Sequence, residues 1–216
     1  IENQQNTNIS DISLKKLSSL MSNTSNKFEY ALTNAEETAV IIYTSGTTGK
    51  PKGAKLPHSN LAWNSSVTVD LFNFNKDYIA LTVLPLFHIF GQNCIMNAAI
   101  FAGIANVLLE RFEADTIVQL IQKHRVSIFA GVPTMFWSLL NETSAMTKKE
   151  ISLLKKHWRI ALSGGAAIPI ELLNDFEKTY EVPIFEGYGM SEASPLVTYN
   201  FPGHKRKIGS VGIPLW

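Results

Sequence analysis

Tyr43-Thr44-Ser45-Gly46-Thr47-Thr48-Gly49-Lys50-Pro51-Lys52-Gly53 is the stretch around which the chain is organised. The apolar run Ala39-Val40-Ile41-Ile42-Tyr43 leads into it and reads as a buried strand. The loop that follows is dense in hydroxyls, glycines and lysines. Glycines let backbone N–H groups approach a ligand closely, hydroxyls donate hydrogen bonds, and lysines bring positive charge. Together they describe a grip on an anionic, polyoxygen group, most simply a polyphosphate. An ordinary Gly/Ser/Thr turn has a similar composition; the density of donors directly after a strand favours the grip. The stretch is not the common phosphate loop G-x-x-x-x-G-K-[ST], because Pro51 and Ala54 stand where the second glycine should fall. A G-x-G-x-x-G dinucleotide fingerprint is also missing here.

Composition sets the outer bounds. The 216 residues are 45% hydrophobic and 17% charged, with a net charge of +1. That is an ordinary globular profile, and it gives no argument for a nucleic-acid partner. Cys94 is the single cysteine. It excludes an internal disulfide and a cysteine-only metal site, and it suits a reducing, cytoplasmic setting. No metal-ligand spacing links the histidines, so no zinc site is expected. The apolar stretch 95–109 is interrupted by Asn97, Gly103 and Asn106 and is too short to span a bilayer; peripheral membrane contact is compatible with the sequence. The chain opens on Ile1 and stops at the apolar Ile213-Pro214-Leu215-Trp216, which reads as a piece of a longer protein.

Residues 1–36 are rich in Asn, Ser, Thr and Gln and read as a polar leading segment or linker, with a short helix around 11–21. Beyond the loop, the spacing predicts a helix over 58–74 with Trp63, Val67, Leu71 and Phe74 on one face. Strands are expected at 78–84, 105–109, 126–130, 159–162 and 183–185. Helices are expected at 89–101, ended by Gly103, at 113–124, from Pro133 to about Leu140, and from Pro169 onward, burying Leu172, Phe176 and Tyr180. Residues 141–149 read as polar and exposed, and Lys205-Arg206-Lys207 as a solvated basic run.

This alternation of strand and helix argues for an α/β fold: a mostly parallel sheet with helices on both faces, and irregular β structure at the C-terminal end. In such sheets ligands bind beyond the C-terminal ends of the strands. The segments that follow the expected strands are the ones with unusual residues: 44–53, Pro85-Leu86-Phe87-His88, 131–133, Ser163-Gly164-Gly165-Ala166-Ala167 and Glu186-Gly187-Tyr188-Gly189-Met190-Ser191-Glu192. A flat ring can lie on the bare backbone of 163–167. Tyr188 can stack, Ser191 can bond a phosphate oxygen, and Glu192 is a hard oxygen ligand suited to Mg²⁺. A rival reading takes Gly189-Met190-Ser191-Glu192-Ala193 as a near-miss of the G-x-S-x-G nucleophile elbow, with His204 or His88 as base. It leaves the 44–53 loop without a role.

With these segments in hand, the chain resembles the adenylate-forming (AMP-binding) superfamily of acyl-CoA synthetases, aryl-CoA ligases, luciferases and peptide-synthetase adenylation domains. The 43–53 stretch matches its phosphate loop, and Gly187-Tyr188-Gly189-Met190-Ser191-Glu192 its second core motif. Leu84-Pro85-Leu86-Phe87-His88 and Gly209-Ser210-Val211-Gly212 match in order and spacing. Within the superfamily the chain looks most like bacterial long-chain fatty-acid–CoA ligases. The resemblance implies an acid–thiol ligase that uses ATP, Mg²⁺ and coenzyme A on a small carboxylic acid. A carboxylate attacks the α-phosphate to give acyl-adenylate and pyrophosphate, and the coenzyme A thiol then displaces AMP. It assigns Thr44, Ser45, Gly46, Thr47, Thr48, Gly49 and Lys52 to the phosphates, and Thr44 and Glu192 to the metal. Gly165, Ala166, Glu186, Gly187, Tyr188 and Gly189 fall to the adenine site, Ser191 to the α-phosphate, and His88, Gly131 and Val132 to the acyl pocket. Lys52, Ser191 and Glu192 are the expected catalytic residues. Residues 37–216 would then be a partial AMP-binding domain without its small C-terminal domain, inactive as a ligase by itself. Another acid–CoA ligase, an adenylation domain or a non-catalytic nucleotide-binding module would fit the same motifs.

Overall fold

The computed structural model describes residues 17–22, 25, 27, 29–45 and 49–215. The chain divides into two units, Ile1–Thr33 and Asn34–Trp216. In the first, a short helix α1 spans Leu17–Ser22, and Ser22 Oγ donates to the Ser19 carbonyl at 3.1 Å. The part of the expected helix that precedes Leu17 lies outside the described residues.

The second unit opens with a hairpin. β1 (Thr38–Thr44) pairs antiparallel with β2 (Lys52–Pro57), and Thr44 faces Lys52 across the ladder. This corrects the expectation of a buried strand. Only Ile42 of β1 is buried, while Ile41 and Tyr43 are exposed. A two-stranded ribbon has one face to bury, and Ile42 and Leu56 pack it against Leu61 and Ile89.

α2 (His58–Leu71) follows directly. Its buried face is Leu61, Asn64, Ser65 and Thr68, whereas Trp63 is exposed. Of the expected apolar stripe, Leu71 and, beyond the helix end, Phe74 pack on the core, while a mostly polar face takes the buried middle of the helix. β3 (Ile79–Thr82) leads through Leu84–His88 into a π-helix, Phe90–Asn97, and then α3 (Ala98–Ala102). Gly103 caps α3 as expected.

β4 (Ala105–Leu108), α4 (Ala114–His124), β5 (Ile128–Gly131) and α5 (Pro133–Thr143) come next. Asp115 in the first turn of α4 and Lys123 and His124 in its last turn complement the helix dipole. α6 (Lys148–Lys155) was not legible in the polar 141–149 segment. Thr147 and Glu150 start it with a reciprocal capping box, and Thr143 just before it is buried. β6 (Ile160–Ser163), α7 (Ile170–Tyr180) and β7 (Ile184–Gly189) complete the alternation. α7 buries Leu173 with Phe176 and Tyr180; Leu172 packs only at the margin.

The sheet has the order β4-β3-β5-β6-β7, all parallel, and is extended by antiparallel β8 (Leu196–Tyr199) and β9 (Ile213–Pro214). Alternate strand residues feed two cores. Leu81, Phe129, Ala161 and Ile184 join α4–α7 on one face. There Phe129, Phe136, Trp158, Phe176 and Tyr180 meet mostly edge-on. Ala80, Ile128, Ile160 and Phe185 join the π-helix, α3 and the end of α2 on the other. The expected α/β sheet with helices on both faces is thus the architecture. The chain crosses from one face to the other at β3 and β5, and this switch opens a crevice at their C-terminal ends.

Candidate functional site

At that end of the sheet a cavity of about 210 Å³ is lined by His88, Ile89, Phe90, Gly164, Gly165, Tyr199 and the run Gly187–Ser191 with Pro195 and Leu196. Three of the expected segments therefore meet: the end of Leu84–His88, the Gly164-Gly165 turn and the Tyr188 strand. Gly164 N donates to Gly131 O at 3.4 Å, which ties the turn after β6 to the end of β5. Gly165 sits beside Val132, whose Cγ1 lies 3.5 Å from where a β-carbon would stand. Gly131, Val132 and Ala166 adjoin the cavity without lining it.

The Glu186–Gly189 motif is not a loop after a strand, as the sequence spacing implied. It is the end of β7 itself, and it pairs with β8 through Gly187↔Tyr199 and Tyr188↔Thr198. This register explains two glycines. A methyl on Gly187 would lie 2.3 Å from the Tyr199 ring, and one on Gly189 would lie 2.3 Å from the Pro195 carbonyl oxygen. Between them Tyr188 turns outward, half-exposed at the cavity rim.

β7 then breaks into a 3₁₀ turn, Ser191–Ala193. Ser191 lines the cavity, and Glu192 is exposed beside it. Among the described residues neither the Ser191 hydroxyl nor the Glu192 carboxylate has a hydrogen-bond or ion-pair partner, so both are free to take a ligand. β2, which carries Lys52, packs beside this turn. The hairpin strand β2 and the turn that borders the cavity are thereby neighbours, and Thr44 and Lys52 pair at the loop end of the hairpin. Ser45, Gly49 and Lys50 are exposed there; Gly46, Thr47 and Thr48 lie outside the described residues.

Glu186 has a different environment from the one foreseen at the edge of a ring. It is buried, and its Oε2 accepts from Gly209 N at 3.3 Å. Burial pushes its carboxyl above the ordinary range, partly offset by that hydrogen bond and by nearby Arg206. Arg206 itself is no solvated cation. Its guanidinium clamps both carboxylate oxygens of Glu177, donates to the Ile184 carbonyl at 2.7 Å, and lies over the Phe185 ring. Gly209 and Arg206 thus fasten the segment after β8 onto β7.

His88 is exposed, and its Nδ1 accepts from Phe90 N at 3.2 Å. His204 packs on Phe201. Neither histidine hydrogen-bonds Ser191, which removes the base that a nucleophile elbow needs. Phe90 lines the cavity as a candidate acyl contact, but Phe87 is 83% exposed and borders a separate groove with Leu86 and Leu108. Tyr199, Pro195 and Leu196 went unrecognised in the sequence. Their only signal was the short alternation at 196–199, whose pairing partner is β7. Among the described residues no three His, Cys, Asp or Glu side chains cluster as a metal site, and no helix is long and apolar enough to cross a membrane. Burial pushes the Cys94 thiol far up, so it is an inert core residue.

The sequence profile of AMP-binding enzymes matches residues 2–216. The chain belongs to the AMP-binding enzyme family. Within that family it is 37% identical over 178 residues to a long-chain-fatty-acid–CoA ligase of Bacillus subtilis, covering 82% of this chain and 31% of the relative. Its fold superposes on ATP-bound MatB from Rhodopseudomonas palustris with a TM-score of 0.81 at 32% identity, over 92% of this chain and 38% of that one. The Bacillus subtilis o-succinylbenzoate coenzyme A synthetase in complex with ATP and magnesium superposes with a TM-score of 0.79 at 30% identity, over 92% of this chain and 40% of that one. The chain spans about a third of the length of the curated relative and somewhat more of the solved ones.

Proposed function

We propose that this chain forms the ATP cleft and part of the carboxylate subsite of an acid–CoA ligase. The observation that carries the reading is the meeting of β2 with the Ser191–Ala193 turn. It supports a site in which the hydroxyl- and lysine-bearing loop of the hairpin faces the Ser191 hydroxyl and the Glu192 carboxylate, beside a cavity lined by Gly164 and Gly165. In this reading the bare Gly164–Ala166 backbone and the Tyr188 ring flank the adenine, with Gly187 and Gly189 beside it. Ser191 donates to the α-phosphate. Thr44, Ser45, Gly49 and Lys52, with the loop residues between them, hold the phosphates that leave. Glu186 acts from beneath, by holding Gly209 against the end of β7.

The donor set fits Mg²⁺ as a shared ion. Glu192 and Thr44 supply oxygen ligands, and phosphate oxygens and water complete the shell, as that ion prefers. Bound there, Mg²⁺ would offset the charge that develops on the departing pyrophosphate. Lys52 adds a fixed positive charge toward the same oxygens. The acid reaches the α-phosphate from the His88 side of the cavity. There Ile89, Phe90 and Leu196, with Val132 behind Gly165, make an apolar lining suited to an aliphatic or aryl carboxylate. Coenzyme A thiol then displaces AMP. The similarity to a long-chain-fatty-acid–CoA ligase favours a fatty acid, in a cytoplasmic protein.

Calorimetric titration with ATP tests the reading. Mg²⁺-dependent binding is expected, weakened about tenfold or more by Glu192→Gln, the loss of one charge-assisted ligand. Binding that ignores both Mg²⁺ and Glu192 would remove the metal assignment. A chain that binds no nucleotide would sink the reading. Comparing a fatty-acid series with an aryl carboxylate, followed by pyrophosphate release from the whole protein, decides the acid.

A further inference from the structure

Asn93 is fully buried on the π-helix, and every hydrogen-bonding position of its amide is used. Nδ2 donates to the Ser194 carbonyl at 2.9 Å and to the Leu61 carbonyl at 3.3 Å. Oδ1 accepts from Ser65 Oγ at 3.0 Å and from Asn97 Nδ2 at 2.8 Å. Asn64 on α2, 1% exposed, accepts from Leu196 N at 3.4 Å. Two buried amides from two helices therefore converge on Ser194 and Leu196, the residues that close the turn bearing Ser191 and Glu192. Ser194 N donates back to the Ser191 carbonyl at 3.2 Å. Its φ of +70° is left-handed, a conformation serine holds only when its surroundings impose it. An apolar side chain could fill the same space, yet here a satisfied polar network occupies it. Such a network fixes one geometry, whereas apolar packing would tolerate several.

We propose that Asn93, seconded by Asn64, is a positioning residue: the buried amides fix Ser194–Leu196 and so set where the Ser191 hydroxyl and the Glu192 carboxylate stand. The inference rests on the nucleotide reading of the site for its consequence, though not for its geometry. The π-helix that carries Asn93 begins beside His88, so the same amide ties the acid side of the cavity to its phosphate side.

Asn93→Leu keeps the branched shape of the side chain and removes the hydrogen bonds. Three readouts test it on the intact chain: amide hydrogen exchange, AMP affinity, and ATP affinity across a Mg²⁺ titration. Exchange at 192–196 should accelerate at least tenfold while β5 and β6 stay protected. AMP affinity, which loses only the Ser191 contact, should fall about threefold; ATP affinity in Mg²⁺, which also loses the Glu192 ligand, should fall tenfold or more, and the Mg²⁺ midpoint should rise. Ile121→Val, in the opposite core, should move none of these. Asn64→Ala should give the same split, and it stands in if Asn93→Leu does not fold. Unchanged exchange and wild-type Mg²⁺ dependence would overturn the proposal, as would equal losses of AMP and ATP. Accelerated exchange in a protein whose wild type binds no nucleotide would keep the positioning role and overturn the site reading instead.

Discussion

Gly187 lies directly across the β7–β8 ladder from Tyr199, with the Tyr199 ring where a side chain on Gly187 would have to go. The strand that presents Tyr188 can pair with β8 only while position 187 is bare. Gly187→Ala should therefore destabilise the fold by about 1–3 kcal/mol through overpacking in urea denaturation. Tyr199→Ala also costs stability by itself, since its ring packs on Phe72. The double variant should be more stable than the sum of the two losses implies. Simple additivity would show that the two residues do not compete for space.

The Arg206–Glu177 pair gives a second test. Both side chains are mostly shielded, at 19% and 22% relative exposure. Deleting the guanidinium strands a carboxylate that also accepts from Ile184 N at 2.7 Å. Arg206→Ala should cost about 2–3 kcal/mol, between an exposed pair and a fully buried one. Arg206→Lys should recover less than half, because an ammonium cannot reproduce the two-pronged contact. Full recovery by lysine would make the contact a simple matter of charge.

Glu186 predicts a pH dependence with a definite sign. Its carboxyl is raised by burial, so the folded state holds the proton more tightly than the unfolded chain does. This contribution to stability is fully present below the ordinary carboxylate range and is lost as pH rises through the raised value. Glu186→Gln keeps an acceptor for Gly209 N and cannot ionise. Its Tm should exceed that of the wild type at neutral pH and converge with it toward pH 4. A difference that stays constant from pH 4 to 8 would contradict the assignment.

What the sequence by itself determined is the layered α/β plan and the identity of the segments at the strand ends. Apolar runs such as 128–130 and 160–162 lie in a sheet covered on both faces, so they are continuously apolar and legible without partners. Pro133 and Gly103 mark helix ends for purely local steric reasons. Tertiary structure decided what depends on a partner distant in sequence. Lys52–Pro57 carries two lysines and little apolar surface, and it is a strand only because β1 pairs with it. The inward face of α2 is polar because Asn64 and Ser65 have hydrogen-bond partners in Leu196 and Asn93. Arg206 reads as one of three surface cations until Glu177 and Ile184 enclose it. Period and propensity act along the chain, whereas the satisfaction of a buried polar group is settled by whichever residues the fold brings to it. For that reason the motif Gly187–Glu192 was visible in the sequence, and the asparagines that hold it in place were not.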